Sequence, residues 1–142
     1  MALQKSLLEH ADKTLSEFNY AIELQKLAAE VGFDWPNVQG VISKIYEEIE
    51  EVSAEINTPN NQARLLDGMG DLLFTCANLA RHLNIEPEQA LNAGNKKFYR
   101  RFAMLEDIVR QSKRKINECS LEQLNEIWSK VKLQNRAPEQ LK

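Results

Sequence analysis

The apolar residues of this chain recur at the spacing of an amphipathic α-helix, and this period restricts the fold more than any other feature. Between residues 38 and 57 the apolar side chains stand three or four positions apart and form one stripe on a helical wheel. A second segment, residues 62–83, repeats the pattern with a stripe of Leu65, Met69, Leu72, Cys76 and Leu79. β-Branched residues do not alternate with polar ones, so the pattern predicts an all-α protein without a sheet. The first stripe consists of Ile42, Ile45, Ile49, Val52 and Ile56.

Glycine, proline and capping residues mark the ends of the predicted helices. Gly32 stands where a helix C-terminus favours positive φ, and Pro87 suits the first turn of a fourth helix. Ser120 and Gln123 form a capping-box pattern before a short fifth helix. We therefore expect a four-helix-bundle-like fold with an extra C-terminal helix, in one domain over all 142 residues. The predicted helices are residues 3–30, broken near 18–20, then 38–57, 62–83, 87–111 and 120–133, and the tail after 135 is expected to fray.

The overall charge and the lengths of the apolar runs exclude several classes of protein. The formal net charge is −3 and the isoelectric point is near 5.5, whereas a dedicated nucleic-acid binder would carry a basic surface. No apolar run approaches the roughly 18 residues that a membrane helix needs, and the N-terminus lacks the apolar core of a signal peptide. The two cysteines, Cys76 and Cys119, have no metal-binding spacing. We expect a cytoplasmic protein that binds neither nucleic acid nor membranes.

Acidic residues lie beside the apolar stripes of the second and third predicted helices. At about 100° per residue, Glu48 and Glu51 fall on one flank of the second helix. Glu47 and Glu50 point well away from that flank, and Asp71 flanks the stripe of the third helix. Acids on two adjacent helices can hold a hard divalent cation without a closed cage, although charge runs on helices more often face water. The sequence thus predicts a metal site, with a solvated acidic face as the alternative.

Two cations on the fourth predicted helix, Lys97 and Arg101, stand four residues apart on one flank. Mg²⁺ takes only a few carboxylates and leaves positions for phosphate oxygens, which arginine binds bidentately. Acids and cations on neighbouring helices therefore suggest a phosphate-processing site, with an exposed basic edge as the alternative. A di-iron site needs Glu-x-x-His, but leucine stands three residues before both His10 and His82. Neither a nucleophile triad nor a glycine-rich phosphate loop is present.

Five motifs occur in order along the chain and resemble those of a known family. They are Val31-Gly32-Phe33-Asp34-Trp35-Pro36, Lys44-Ile45-Tyr46-Glu47-Glu48-Ile49-Glu50-Glu51-Val52, Met69-Gly70-Asp71-Leu72-Leu73-Phe74, Asn78-Leu79-Ala80-Arg81-His82-Leu83 and Asn95-Lys96-Lys97-Phe98-Tyr99-Arg100-Arg101-Phe102. Over about residues 20–132 the chain resembles the MazG family of nucleoside triphosphate pyrophosphohydrolases, in particular the catalytic C-terminal domain of its longer, duplicated members. The resemblance implies an all-α NTP pyrophosphatase fold that cleaves a nucleoside triphosphate into a monophosphate and pyrophosphate.

The resemblance also implies a cofactor, a partner and roles for several residues. Family members depend on Mg²⁺, for which Mn²⁺ can stand in, assemble as homodimers or higher homo-oligomers, and act as house-cleaning enzymes on several bases. Glu48 and Glu51 match the metal-binding acids of the E-E-x-x-E motif, and Asp71 matches the last acid of the E-x-x-D motif. Glu47, Glu48 or Glu51 is expected to orient or deprotonate the attacking water. The residues expected at the substrate are Asn95, Lys97 and Arg101 on the phosphates and Trp128 near the nucleotide, with packing as the alternative for Trp128.

Gly68 is a departure from the family pattern, because the E-x-x-D motif has its glutamate at this position. Asp67 is a poor replacement, since one residue along a helix turns the side chain by about 100°. We expect the loss of one of four acids to weaken the binding of a cation, with a water molecule in the vacant position as the alternative, because Mg²⁺ tolerates several waters. Two further hypotheses therefore stay open, a nucleotide-binding protein that has lost turnover and a purely structural helical module. The sequence leaves the base preference open as well.

Overall fold

The computed structural model of the protein describes residues 4–135, and every regular element in that range is helical. The all-α prediction is confirmed, and the boundaries of the four long helices agree with the prediction within two residues, apart from the start of the first. Five α-helices and two short 3-10 helices are present in the described range. They are a 3-10 helix at Leu7–His10, α1 at Glu17–Glu30, α2 at Val38–Glu55, α3 at Gln62–His82, α4 at Pro87–Gln111, a 3-10 helix at Ile116–Glu118 and α5 at Leu121–Gln134.

The start of α1 lies later than predicted, and local hydrogen bonds explain the difference. Asp12 Oδ1 accepts hydrogen bonds from the backbone N–H and the hydroxyl of Thr14, at 2.9 and 2.6 Å. Ser16 then caps α1 by accepting from the N–H of Asn19 at 3.3 Å. Such side-chain bonds to the backbone compete with a helix and favour turns and caps. The predicted helix over residues 3–30 with a break near 18–20 is therefore wrong, because the break lies at residues 11–16.

Side-chain hydrogen bonds also set the two ends of α2 and the start of α5. Asn37 begins α2 by accepting from the N–H of Gly40 at 3.1 Å. The predicted capping box is present at α5, where Ser120 and Gln123 each accept from the other's backbone N–H. At the C-terminus of α2, the amide of Asn61 donates to two carbonyls that the helix leaves unpaired, at 2.8 and 2.9 Å. This bond network fixes the turn that brings α3 back against α2.

The chain divides into two compact units, Met1–Ala90 and Leu91–Lys142, and each is described by itself. In the first unit α3 packs against both α1 and α2. The buried side chains there include four polar ones. The division does not test the prediction of a single domain, which stays a prediction. The buried polar residues are Gln25, Glu48, Thr75 and Asn78.

The buried sides of α2 and α3 differ from the predicted apolar stripes. On α2, Ile49 and Ile56 are exposed whereas Glu48 is buried. On α3, Met69 and Cys76 are exposed, although both belong to the predicted stripe. The 3.6-residue period correctly identifies the helices, but in this unit part of the interior is polar and is satisfied by hydrogen bonds. The buried residues of α3 are Thr75, Ala77 and Asn78.

The second unit has a small apolar core in which Leu105, Val109 and Val131 are buried. Partly buried apolar side chains, Trp128 among them, pack against these three residues. By contrast, all residues from 91 to 100 are exposed. The predicted fraying of the tail after residue 135 falls outside the described residues. Among residues 4–135, no helix combines the length and the apolar character that crossing a membrane requires.

Candidate metal and nucleotide site

All three predicted metal ligands lie together where α2 packs against α3. Glu48 and Glu51 stand one turn apart on α2, and Asp71 comes from α3. Each residue offers a carboxylate oxygen, and these oxygens all lie within 4.8 Å of one another. We call these three residues the acid cluster. The packing of α2 against α3 thus brings together the three carboxylates that the helical wheel indicates.

Glu48 is the buried member of the acid cluster. It is only 4% exposed, and its Oε1 lies 3.2 Å from Nζ of Lys44. Its other oxygen, Oε2, is buried and has no hydrogen-bond partner among the described residues. The hydrogen bond to Glu48, together with the nearby charge of Glu47, raises the pKa of Lys44. A buried carboxylate oxygen is costly unless a donor or a cation pairs with it, so Oε2 is a suitable ligand atom for a metal ion.

The other two members of the cluster are exposed. Repulsion from Glu48 is the largest of the effects that raise the pKa of Glu51. This is the behaviour of carboxylates held close enough to repel each other, which a divalent cation would relieve. Because Glu51 and Asp71 face solvent, the cluster is open on one side. Carboxylate oxygens with open neighbouring positions fit Mg²⁺, which keeps waters and accepts phosphate oxygens.

Two neighbouring positions stand outside the cluster. Glu47, a predicted catalytic candidate, is exposed, and its nearest charged partner is Lys44 Nζ at 3.8 Å. Gly68 lies one turn before Asp71 and close to α2. A Cβ atom at position 68 would lie 3.0 Å from Cγ2 of Val52, so a larger residue there requires a shift of that side chain. The cluster therefore has three acids instead of four, and the room for the fourth is partly filled by valine.

Residues 37–105 match the family model of the MazG nucleotide pyrophosphohydrolase domain. The chain carries a MazG-family domain. It is 42% identical over 132 residues to a nucleoside triphosphate pyrophosphohydrolase of Escherichia coli (strain K12), which covers 92% of this chain and 50% of that protein. A Thermotoga maritima protein named nucleoside triphosphate pyrophosphohydrolase/pyrophosphatase MazG is 38% identical over 112 residues, covering 79% of this chain and 42% of its own length. The chain spans about half the length of these curated relatives.

The predicted substrate-binding residues all lie in the second unit. Asn95 and Lys97, within the matched MazG domain, are exposed on α4. Arg101 is half-buried, and its Nε is buried without a hydrogen-bond partner among residues 4–135. Trp128 packs against the ring of Phe98, with 5.6 Å between ring centroids, and against the core of the unit. Trp128 thus packs within this unit, and its predicted place near the nucleotide stays a prediction.

A cavity in the first unit contains polar residues that the sequence reasoning missed. It has a volume of about 540 Å³ and lies between α1, the loop at residues 32–35, Lys44 of α2 and the C-terminal half of α3. Thr75 and Asn78 line it and follow Asp71 by four and seven residues, on the same face of α3. This spacing of polar residues along one face was the available signal. The predicted apolar stripe lies on other positions of the helix, whereas Thr75 and Asn78 are buried.

Proposed function

We propose that this chain is a nucleoside triphosphate pyrophosphohydrolase that depends on Mg²⁺ or Mn²⁺. The observation that carries the proposal is Oε2 of Glu48, a buried carboxylate oxygen without a partner among the described residues, beside Glu51 and Asp71. Such an oxygen is costly to bury unless a cation pairs with it. The names of the Escherichia coli and Thermotoga maritima relatives support the reaction class.

In the proposed site Glu48, Glu51 and Asp71 hold the cation. Carboxylate oxygens are the ligands that Mg²⁺ prefers in proteins. When bound, the cation supplies Lewis-acid polarisation of a phosphoryl oxygen and lowers the pKa of a water molecule. One buried and two exposed ligands leave the solvent side of the cluster accessible to a triphosphate.

The proposed reaction is the attack of water on the α-phosphorus. A new phosphorus–oxygen bond forms, the α–β anhydride bond breaks, pyrophosphate leaves and the proton of the water passes to a carboxylate. We assign the orientation or deprotonation of this water to the group Glu47, Glu48 and Glu51. The ammonium group of Lys44, 3.2 Å from Glu48 and 3.8 Å from Glu47, holds two of these carboxylates in place.

We assign the binding of the phosphates to Asn95, Lys97 and Arg101. Cationic donors balance the charge of a triphosphate, and a guanidinium can bind two phosphate oxygens at once. The buried Nε of Arg101, without a partner among the described residues, supports this role because an anion would satisfy it. Phe98 stands on α4 together with Lys97 and Arg101, and Trp128 of α5 packs against its ring. We therefore assign Trp128 a role in the nucleotide site through its support of α4.

The test is a measurement of pyrophosphate release from ATP, GTP, CTP and UTP with increasing Mg²⁺. We expect release of pyrophosphate and the matching monophosphate, broad tolerance of the base and loss of activity with EDTA. Orthophosphate as the product, or no pyrophosphate at high enzyme and Mg²⁺ concentration, would contradict the proposal. Product identification by phosphorus NMR separates these outcomes.

A second candidate is a nucleotide-binding protein with weak turnover. Gly68 favours it, because the cluster contains three acids and lacks a ligand at that position. Isothermal titration with a non-hydrolysable triphosphate and Mg²⁺ should give saturable heat for this candidate, while pyrophosphate release stays near background. A purely structural module would show neither signal.

The proposal also includes the assembly and the compartment. We propose a homodimer in the cytoplasm, with a higher homo-oligomer as the other state. Large apolar side chains are exposed on α3 and on the first half of α4, which supports association because a monomer rarely exposes so many. Sedimentation analysis of the full chain tests the assembly. The exposed apolar side chains on α3 and on the first half of α4 include Leu66, Leu73, Phe74, Leu91 and Phe98.

A further inference from the structure

The cavity of the first unit combines aromatic walls with a polar floor. Phe33, Trp35 and Phe74 line it, and these side chains are 81%, 42% and 45% exposed. A volume of about 540 Å³ falls within the range of about 300–1,000 Å³ that is usual for small-molecule sites. Gly40 allows Trp35 to lie close to α2, since a Cβ atom there would approach the indole ring to 3.2 Å. Exposed aromatic rings around a cavity are surfaces on which heteroaromatic rings stack.

The floor of the cavity is made of buried polar side chains held by hydrogen bonds. Gln25 Nε2 donates to the carbonyl of Phe74 at 3.0 Å, and its Oε1 accepts from Arg81 Nε at 3.4 Å. Asn78 Oδ1 accepts from Arg81 Nη2 at 2.8 Å, and Asp34 also accepts from this nitrogen. These bonds fix the orientation of both amides. A floor whose side chains are held in this way is preorganised to bind a ligand.

The fixed bonds determine what the floor offers to a ligand. Because Oδ1 of Asn78 accepts a hydrogen bond from Arg81, the group that this cavity-lining amide can offer to a ligand is its donor, Nδ2. Thr75 donates its hydroxyl proton to the carbonyl of Asp71 at 2.8 Å, so its oxygen remains as an acceptor. Thr75 and Asn78 stand three residues apart on one face of α3 and thus present an acceptor beside a donor. Each of the common bases has an edge with a neighbouring donor and acceptor, which this pair complements in either order.

The cavity adjoins the acid cluster through two contacts. Lys44 lines the cavity and also lies 3.2 Å from Glu48. Thr75 is hydrogen-bonded to the backbone of Asp71, and four residues of α-helix correspond to a rise of about 6 Å. A ribose can bridge such a distance, so one ligand can reach the acid cluster with its phosphates and the cavity with its base.

We propose that this cavity holds the nucleobase of the substrate, stacked between the aromatic walls and hydrogen-bonded to Thr75 and Asn78. The inference rests on the proposed function for the phosphate end of the ligand. It adds the residues that contact the base. It also gives a physical reason for broad base tolerance, because an acceptor beside a donor fits several bases equally.

The first experiment replaces the donor of the floor by an acceptor. Asn78→Asp keeps the size of the side chain and the bond to Arg81 but removes the donor at Nδ2. We expect kcat/KM for ATP, GTP, CTP and UTP to fall about tenfold, mainly through KM, because a hydrogen bond is lost and two acceptors face the base. With ribose 5-triphosphate, which has no base, wild type and variant should be equally active. Asn125→Asp, the same change at an exposed position of α5, should leave kcat/KM unchanged for the nucleotides and for ribose 5-triphosphate.

Two results of this experiment would overturn the assignment. One is unchanged kcat/KM of Asn78→Asp for all four nucleotides. The other is an equal loss with ribose 5-triphosphate, which would place the effect in the phosphate site or in the fold. An inactive wild type contradicts the proposed function instead. The assignment of the cavity is then tested by the nucleoside-binding experiment alone.

The second experiment measures binding without phosphates or metal. The chain has two tryptophans, so Trp128→Phe leaves Trp35 at the cavity as the single indole. Titration of this variant with adenosine or uridine should quench its fluorescence saturably, and ribose should not. Adding Asn78→Asp should weaken the nucleoside signal. No saturable change up to the solubility of the nucleosides, in a variant whose circular dichroism matches wild type, would overturn the proposal whether or not the protein is an enzyme.

Discussion

Residues 4–90 and residues 91–135 fill their interiors with different chemistry. Among the described residues, all four buried polar side chains, Gln25, Glu48, Thr75 and Asn78, belong to the first unit. Its buried apolar residues are small, Ala11, Val41 and Ala77. In the second unit the buried residues are Leu105, Val109 and Val131, all apolar.

The buried residues of the two units therefore have different roles, one in stability and the other at the candidate site. Burying apolar surface stabilises a fold, whereas burying a polar group costs free energy unless it is paired. In the first unit the polar side chains converge on the acid cluster and on the cavity beside it. A substitution in the first interior should therefore change ligand binding or catalysis more than stability. A substitution in the second should do the reverse.

The largest expected effect is on activity in the first unit. Glu48→Gln keeps the size of the buried side chain but removes its charge, so Mg²⁺-dependent pyrophosphate release should fall about 100-fold or more. The thermal stabilisation that Mg²⁺ gives to wild type should disappear with it, since a ligand stabilises only the state that binds it. Glu50→Gln, at an exposed position of the same helix, is the matched control and should behave like wild type. Full activity of Glu48→Gln would exclude Glu48 as a metal ligand.

The second effect is on stability in the second unit. Leu105→Ala should lower the free energy of unfolding by about 2–5 kcal/mol, because a nearly fully buried leucine leaves a cavity. Urea denaturation followed by circular dichroism measures this change.

Thr75→Val provides the opposite case in the first unit. It removes a hydroxyl whose proton goes to the helix's own backbone, so stability should change by less than about 1 kcal/mol. Its kcat/KM for nucleoside triphosphates should nevertheless fall several-fold. If Thr75→Val proved as destabilising as Leu105→Ala, the contrast between the two interiors would not hold.

The third effect concerns the missing acid. Gly68→Glu combined with Val52→Ala, which makes room beside α2, should raise Mg²⁺ affinity about tenfold by adding a fourth carboxylate. Gly68→Glu alone should give less, because its Cβ would lie 3.0 Å from Val52. Isothermal titration with Mg²⁺ measures the affinities.

Gly70→Glu is the matched control for this substitution. It adds the same acid on the same helix, but at a position with open space around it, so Mg²⁺ affinity should not change. A sharp rise in turnover with Gly68→Glu would favour the weakened-enzyme candidate. If wild type already turns over well and the added acid changes nothing, that candidate fails.

The smallest expected effect concerns the loop beside the cavity and depends on pH. Burial opposes the ionisation of Asp34, but hydrogen bonds from Arg81 and His82 and the charge of Arg81 together lower its pKa below the ordinary value of 3.8. Since the pKa is lower in the folded protein, this stabilisation is complete above pH 3.8 and is lost as the pH falls through the lowered pKa. Asp34→Asn should therefore cost about 1 kcal/mol at neutral pH, allowing for partial solvent screening, and little in strong acid.

Urea denaturation of wild type and Asp34→Asn across this pH range measures the difference. Asp107→Asn is the control, because Asp107 pairs with Arg110 on an exposed helix surface and such pairs contribute little. A cost of Asp34→Asn that stays constant from neutral to strongly acidic pH would show that its charge is not the cause.

Much of the fold and part of the candidate site were predictable from the sequence. The 3.6-residue period, the capping residues and Pro87 are local signals, and they predicted α2 to α5 within two residues. The helical period alone placed Glu48, Glu51 and Asp71 beside the apolar stripes of their helices. Acids in such positions come together where the two helices pack. Their carboxylates do meet where α2 packs against α3.

The tertiary structure alone decided which groups are buried and which lie around a cavity. The period of a helix gives its faces, but only packing shows which face is inside, and here Glu48, Thr75 and Asn78 are buried while Met69 and Ile49 are exposed. The cavity is lined by residues of the first 3-10 helix, α1, α2, α3 and the loop between α1 and α2, and two of them, Leu8 and Arg81, stand 73 residues apart in sequence. No local pattern encodes such a gathering. The sequence by itself thus determined the helices and the positions of the three acids along them. The packing of the helices determined the cavity beside the acid cluster, where we propose that the base lies.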